Sequence, residues 1–163
     1  MKKYALDLHR FVLIKNTKDN PTISIVDTAS NKSAEFTFQR WVHFTRMSIP
    51  AADAALQRIK DGQEDVHLQL PIGGKWYISV TKGIACVDIR QFYWNPLVGE
   101  RPTRNGIALL FHQWTKLKEL LPEIHAKYPI LDKTEMCSSS PDHQNQEGSL
   151  NCPECNPFQF DPG

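Results

Sequence analysis

The sequence contains no long hydrophobic run. Its apolar stretches are much shorter than the roughly 20 residues that a membrane-spanning helix requires, and the first residues, MKKY, are not followed by the apolar core of a signal peptide. These two absences argue against a membrane protein and against secretion. We therefore expect a soluble, intracellular protein with no membrane partner.

Sequence motifs of catalysis are also missing. The segment Ile72-Gly73-Gly74-Lys75 lacks the first glycine and the final Ser or Thr of a phosphate-binding loop, and it precedes a strand instead of a helix. The histidines are scattered without a His-x-x-x-His pair, and no serine lies in a nucleophile-elbow motif. We predict that the protein is not an enzyme and that it needs no cofactor.

Cysteine is scarce, with four in 163 residues. Cys86 falls in a predicted strand, where a buried thiol is the common case. The other three lie near the end of the sequence, two of them in the Cys152-Pro-Glu-Cys155 knuckle, and Cys137 with His143 could complete four zinc ligands. The single knuckle and the irregular spacing leave zinc, a redox pair and reduced thiols all open, and we assign no metal site.

The net charge is only +1, but the charge is unevenly distributed. Residues 132–163 hold one basic and six acidic side chains, whereas residues 1–131 hold 18 basic and 12 acidic ones. The end of the sequence is rich in Ser, Pro, Asn and Gln and carries an aromatic tip, Phe158-Gln159-Phe160-Asp161. We expect an acidic, disordered tail that is attracted to a basic body, and that either recruits other proteins or only aids solubility.

Residues 73–121 are the most informative part of the chain. From Lys75 to Val80, apolar and polar residues alternate with the period of a half-buried strand, and a second such run follows from Ala85 to Ile89. The segment from Leu110 to Leu121 has helical periodicity, with Trp114 on its apolar stripe. The pattern predicts an α+β fold in which Trp114, and Trp41 on an earlier helix, are core residues.

Four pieces of this segment resemble the DNA-binding domain of the positive cofactor four family of transcriptional coactivators. They are Gly74-Lys75, Asp88-Ile89-Arg90-Gln91-Phe92-Tyr93, Arg101-Pro102-Thr103-Arg104-Asn105-Gly106-Ile107 and Gln113-Trp114-Thr115-Lys116-Leu117-Lys118. The resemblance implies a curved, four-stranded antiparallel sheet followed by a helix. It also implies a protein that dimerises and binds single-stranded or melted DNA with little sequence preference.

The resemblance also implies a set of nucleic-acid contacts. The matching positions are Lys75, Lys82, Arg90, Tyr93, Arg101 and Arg104. Thr81 stands where the family has an aromatic residue and Ile84 where it has a lysine, so one stacking position and one phosphate contact are missing from the first hairpin. The adjacent Trp94 is a candidate for the missing stacking residue.

Tyr77 is a further candidate, because it lies on the polar face of the strand that begins at Lys75. Aromatic side chains stack on unpaired bases, and nearby cations neutralise phosphates. Each candidate also has an ordinary structural interpretation. The tyrosines could be packing residues with a solvated hydroxyl, and the cations could form a solvated face or weak ion pairs.

An internal repeat extends the resemblance toward the start of the chain. Phe38-Gln39-Arg40-Trp41 recurs as Phe111-His112-Gln113-Trp114. We therefore predict two strands-then-helix units with curved antiparallel sheets, a degenerate one over residues 1–62 and a four-stranded one with its helix over 63–131, followed by the tail at 132–163. Such a chain would be a monomeric pseudo-dimer, with a homodimer as the alternative.

The sequence as a whole predicts a sequence-nonspecific protein that binds single-stranded DNA, or RNA, in replication, recombination or transcription. Its place of action would be the nucleus of a eukaryotic cell or a viral replication site. The alternative is an interaction adaptor that has lost strong DNA binding and recruits replication or transcription proteins through its tail.

Overall fold

The computed structural model describes residues 2–137 and 152–158, and it confirms the predicted α+β class. Two four-stranded antiparallel sheets form, each with its strands in sequence order and each followed by helices. The strands are β1 Lys2–Ala5, β2 Arg10–Lys15, β3 Thr22–Asp27, β4 Lys32–Thr37, β5 His67–Gly73, β6 Trp76–Thr81, β7 Cys86–Asn95 and β8 Gly99–Leu110. The helices are α1 Phe38–His43, α2 Ile49–Lys60, α3 Phe111–Lys127 and α4 Ile130–Lys133.

The first sheet buries alternate residues of its two central strands. Val12 and Ile14 of β2 and Ile23 and Ile25 of β3 are completely buried, as the period of two requires for side chains on one face of a strand. α1 follows β4 directly, and the Thr37 hydroxyl caps it by accepting a hydrogen bond from the backbone N–H of Arg40 at 3.1 Å. A π-helical turn over Phe44–Ser48 joins α1 to α2.

The second sheet contains a much longer hairpin than the first. β7 and β8 have 10 and 12 residues, whereas β3 and β4 have six each. Their pairing shifts register between Arg90 and Phe92, and Gly106 lies beside the shift. A β-carbon on Gly106 would come within 2.5 Å of the Ile89 carbonyl oxygen, so only glycine allows the two strands to approach this closely.

The two halves share one hydrophobic core. The predicted core residues Trp41 and Trp114 are 0% and 2% exposed. The Trp114 ring stacks on Phe44 of the first half at a centroid distance of 6.0 Å, and its Nε1 donates to an Asp53 carboxylate oxygen at 2.9 Å. The Arg10 guanidinium also crosses to the second half and donates to the carbonyl oxygen of Ala108. The halves are therefore one packed body.

Several boundaries differ from the sequence-based expectation. β1 was not predicted, and α3 continues beyond Pro122 to Lys127. Ala85 is exposed in the loop before β7, although the alternating pattern placed it in the core. In the described ranges, none of the helices combines the length and the apolar character needed to cross a lipid bilayer.

Candidate nucleic-acid interface

The end of the β7–β8 hairpin projects beyond the rest of its sheet. β6 pairs with β7 only as far as Gln91, whereas β7 and β8 remain paired to Asn95 and Gly99. Large apolar side chains are exposed on this extension: Tyr93 by 45%, Trp94 by 46% and Leu97 by 92%. Exposed aromatic rings on a rigid strand pair are suitable platforms for unpaired bases.

Tyr93 and Trp94 lie on opposite faces of the hairpin, because successive strand residues alternate between faces. Tyr93 pairs across the strands with Arg101, and Trp94 pairs with Glu100. Tyr93 thus has a cation as its cross-strand neighbour, the combination expected where a base stacks and its phosphate is neutralised nearby. Trp94 has an acidic neighbour in the corresponding position.

Tyr77 is placed differently from the other aromatic candidates. Its side chain is 7% exposed, its ring packs on Phe92 at a centroid distance of 4.8 Å, and its hydroxyl donates to Glu100 Oε1 at 3.1 Å. Burial, together with the nearby Glu100 charge, raises the pKa of Tyr77 well above its usual range. The ring is therefore a support for the hairpin, and we do not count it among the accessible stacking surfaces.

Three of the candidate cations are exposed. They are Lys75 in the turn before β6, and Arg101 and Arg104 on β8. Arg101 donates to the carbonyl oxygen of Glu100 at 2.9 Å, and none of the three forms an ion pair with an acidic side chain in the described residues. These side chains can bind phosphate without first breaking an ion pair.

Two other predicted cations are already paired. Lys82 Nζ lies 2.9 Å from a Glu64 carboxylate oxygen. Arg90 makes two hydrogen bonds of 3.0 Å with Asp88 and a third, of 3.1 Å, with the Thr103 carbonyl oxygen. Arg90 therefore braces the register shift between β7 and β8, and phosphate binding would compete with its existing partners.

The structure also brings together residues that the sequence did not identify as candidates. A polar cavity between the two sheets is lined by Lys32, Arg40 and Trp76 together with the predicted Arg104. Lys32 and Arg40 come from the first half of the chain, so their proximity to Arg104 depends on how the halves pack. The only sequence signal was the recurrence of the Phe-Gln-Arg-Trp segment that contains Arg40.

The described part of the tail contacts the same region. The Arg40 guanidinium forms two hydrogen bonds of 2.8 Å with the Glu154 carboxylate, and the Gly74 N–H donates to the Glu154 carbonyl oxygen at 2.9 Å. Phe158 lies against Trp94 at a centroid distance of 6.0 Å. The tail thus places an anionic group on an arginine and an aromatic ring on an indole, the two kinds of contact that a phosphate and a base would make.

Among tail residues with possible ligand atoms, Cys137, Cys152 and Cys155 lie close to one another. His143 and the final residues of the predicted aromatic tip, Gln159-Phe160-Asp161, fall outside the described residues.

Comparison with known proteins identifies a family that the second part of the chain resembles. A family model described as Transcriptional Coactivator p15 (PC4) matches residues 74–120. A Caenorhabditis elegans protein named "Putative RNA polymerase II transcriptional coactivator" is 38% identical over 74 residues, which cover 44% of this chain and 58% of that protein. The matched region is thus little more than half the length of this relative. No solved structure matches the chain.

The resemblance predicted from the sequence is therefore confirmed for the second half of the chain. The matched residues run from the turn before β6 to the middle of α3. They include Lys75, Arg90, Tyr93, Arg101 and Arg104. The family is one of transcriptional coactivators, which is consistent with nucleic-acid binding and with a role in transcription.

Proposed function

We propose that this protein binds single-stranded DNA, or RNA, without sequence preference, and that it acts in transcription, with replication and recombination as related processes. One observation carries the proposal. The projecting β7–β8 hairpin presents an exposed Tyr93 beside Arg101, with Lys75 and Arg104 also exposed. This arrangement combines stacking with phosphate neutralisation, two interactions that do not depend on the identity of the base.

The mechanism needs no covalent step. Unpaired bases stack on the exposed rings of the hairpin, and phosphates replace counterions at the cations beside them. Duplex DNA keeps its bases stacked inside the helix and cannot use the rings. The protein would therefore hold melted DNA open at a place such as a transcription bubble, in the nucleus of a eukaryotic cell or at a viral replication site.

We further propose that one chain supplies both halves of a pseudo-dimer that arose by duplication. Two four-stranded meanders with following helices share a core in which Phe44 stacks on Trp114. Light scattering on the purified chain should give a mass close to 18.7 kDa, that of one chain. A stable mass of twice that value would favour the homodimer.

A protein-interaction adaptor remains the second candidate. Leu97 and Val98 at the hairpin tip are 92% and 54% exposed, and exposed apolar residues often mark a surface that binds another protein. The adaptor differs from the first proposal in its salt response. The affinity of an apolar surface for a protein depends weakly on salt concentration, whereas the affinity for phosphates depends on it strongly.

Substitution of the exposed cations should weaken binding to all sequences alike. We expect Lys75→Ala and Arg101→Ala each to reduce the affinity for a single strand and to flatten the salt dependence by about 0.7 units of slope, because each removes one phosphate contact. Fluorescence anisotropy of a labelled oligonucleotide over a salt series measures both quantities.

Lys82→Ala is the matched control for these cations, since Lys82 is paired with Glu64 and should contribute less. If Lys82→Ala lowers the affinity and flattens the slope more than Lys75→Ala and Arg101→Ala do, the assignment of the phosphate contacts is wrong.

Removal of the tail should strengthen binding. Glu154 forms an ion pair with Arg40, and Phe158 contacts Trp94. Ending the chain after Met136 should therefore expose Arg40 and Trp94. The truncated chain keeps Leu131, which is completely buried, and Met136, which packs against the core. Its fold should therefore be unchanged. We expect the affinity to rise several-fold, on the order of 1 kcal/mol, most clearly at low salt, where attraction between the acidic tail and the basic body is least screened.

The full-length variant Glu154→Gln should show part of the same gain, because it removes the charge that competes with phosphate and keeps the rest of the tail. Weaker binding after truncation, with circular dichroism unchanged, would mean that the tail contributes to the nucleic-acid site.

A further inference from the structure

Three of the four cysteines converge on one point, although Cys137 is 15 residues from Cys152 in the sequence. The sulfur atoms of Cys137, Cys152 and Cys155 all lie within 4.8 Å of one another. The Cys137 and Cys152 sulfurs are 3.6 Å apart, and all three thiols are reduced and half-buried. Cys86, at the start of β7, is not part of this cluster.

The spacing of the sulfurs fits a metal better than a disulfide. A disulfide requires about 2.05 Å between its sulfurs. Three thiolates around zinc lie about 2.3 Å from the ion, and in a tetrahedron this places neighbouring sulfurs roughly 3.8 Å apart. The 3.6 Å between Cys137 and Cys152 is close to that edge length.

The local backbone is already arranged as a metal knuckle. The N–H of Asn156 donates to the carbonyl oxygen of Cys152 at 2.7 Å, which closes a turn around the Cys-Pro-Glu-Cys sequence. Backbone N–H groups of Cys155 and Glu154 donate to the Cys152 sulfur. Donors of this kind stabilise a thiolate, the form that binds metal.

We propose that Cys137, Cys152 and Cys155 form a structural zinc site, with His43 of α1 as the fourth ligand. His43 lines the same cavity as Cys137 and Cys155, and its ring donates a hydrogen bond to the Pro71 carbonyl oxygen. Zinc-bound histidines commonly make such a bond with their second ring nitrogen. The His43 nitrogens lie outside the 4.8 Å sulfur cluster, so the side chain or the knuckle would move when the metal binds.

The site would fasten the tail to the body. Glu154 lies between the two knuckle cysteines and is the residue that pairs with Arg40 and accepts from Gly74. A β-carbon on Gly73 would clash with the Glu154 carboxylate, so the glycine allows the knuckle to sit this close to β5. A metal that joins α1, the end of the body and the knuckle would therefore fix Glu154 in place.

Metal content of the full-length chain tests this proposal without any nucleic acid, so the result is independent of the proposed function. We expect about one zinc ion per chain after purification and desalting. Replacement by Co²⁺ should give thiolate-to-cobalt charge-transfer bands and the visible bands of a tetrahedral ion. No bound zinc and no cobalt bands, or a disulfide between Cys137 and Cys152 under mild oxidation of the cobalt-treated protein, would overturn the site.

Variants identify the ligands. Cys137→Ser, Cys152→Ser and Cys155→Ser should each lower the zinc affinity by more than the 10- to 100-fold that the loss of an outer-shell partner typically costs. Cys86→Ser is the matched control and should bind zinc as the wild type does; an equal loss in this variant would contradict the assignment. His43→Ala should shift the cobalt bands and weaken binding, and an unchanged spectrum would overturn His43 as the fourth ligand.

Discussion

Trp114→Ala is expected to lower the free energy of unfolding by about 3–5 kcal/mol, the usual cost of replacing a buried tryptophan by alanine. The side chain is 2% exposed and stacks on Phe44 from the other half of the chain. Its Nε1 donates to Asp53, which also pairs with Lys118 at 3.0 Å. The substitution would thus leave a cavity at the junction of the halves and a carboxylate with one partner fewer.

Chemical denaturation followed by circular dichroism measures this loss, and Thr115→Ala is the matched control. Thr115 is the next residue of α3 and is exposed, so its substitution should change stability by no more than about 0.5 kcal/mol. Because both halves share one core, we expect a single unfolding transition in the wild type. A loss below 1 kcal/mol for Trp114→Ala, or two separate transitions, would contradict the common core.

Tyr93→Ala and Trp94→Ala should each weaken single-strand binding by roughly 1–3 kcal/mol, the range found when a stacked aromatic is removed. In affinity this is about 5- to 150-fold. Both rings are nearly half exposed, so the fold should remain intact. Anisotropy titrations, with circular dichroism to confirm folding, give the two losses separately.

The two substitutions are not equivalent. Tyr93 lies beside Arg101 on one face of the hairpin, whereas Trp94 lies beside Glu100 on the other and contacts Phe158. We therefore expect Tyr93→Ala to lower the single-strand affinity of the full-length chain. Trp94→Ala should lower the affinity more in the truncated chain than in the full-length chain. Leu97→Ala is the control, because Leu97 is exposed on the same hairpin and has no aromatic ring. Unchanged affinity in both aromatic variants would exclude stacking on this hairpin.

Much of the fold could be predicted because local patterns determine it. The alternation from Trp76 to Val80 and the helical stripe containing Trp114 each identify an element and its buried face. β1 could not be predicted, since it has four residues, of which only Tyr4 is buried, and its existence depends on pairing with β2. Ala85 fits the alternation but precedes the first residue of β7, where pairing begins at Cys86.

The site was less predictable, because its features depend on contacts between distant parts of the chain. Sequence placed Tyr77 on the face opposite Ile78, but its ring packs on Phe92 of β7 and its hydroxyl reaches Glu100 of β8, contacts that have no local signal. Arg40 meets Glu154 across 114 residues, a contact without a local signal. The cysteine cluster likewise requires Cys137 to meet the knuckle in space.

The most direct test is the affinity for an oligo(dT) single strand and for a duplex of the same length, each measured between 50 and 200 mM salt. Single-strand binding weakens with a logarithmic slope of about −0.7 for each neutralised phosphate. Lys75, Arg101 and Arg104 together predict a slope of about −2, or roughly a 20-fold loss over this range. If Lys82 and Arg90 exchange their acidic partners for phosphate, the slope approaches about −3.5 and the loss is roughly 100-fold. We predict tighter binding to the single strand with a slope between these values; a preference for duplex, or affinity that does not change with salt, would contradict the account.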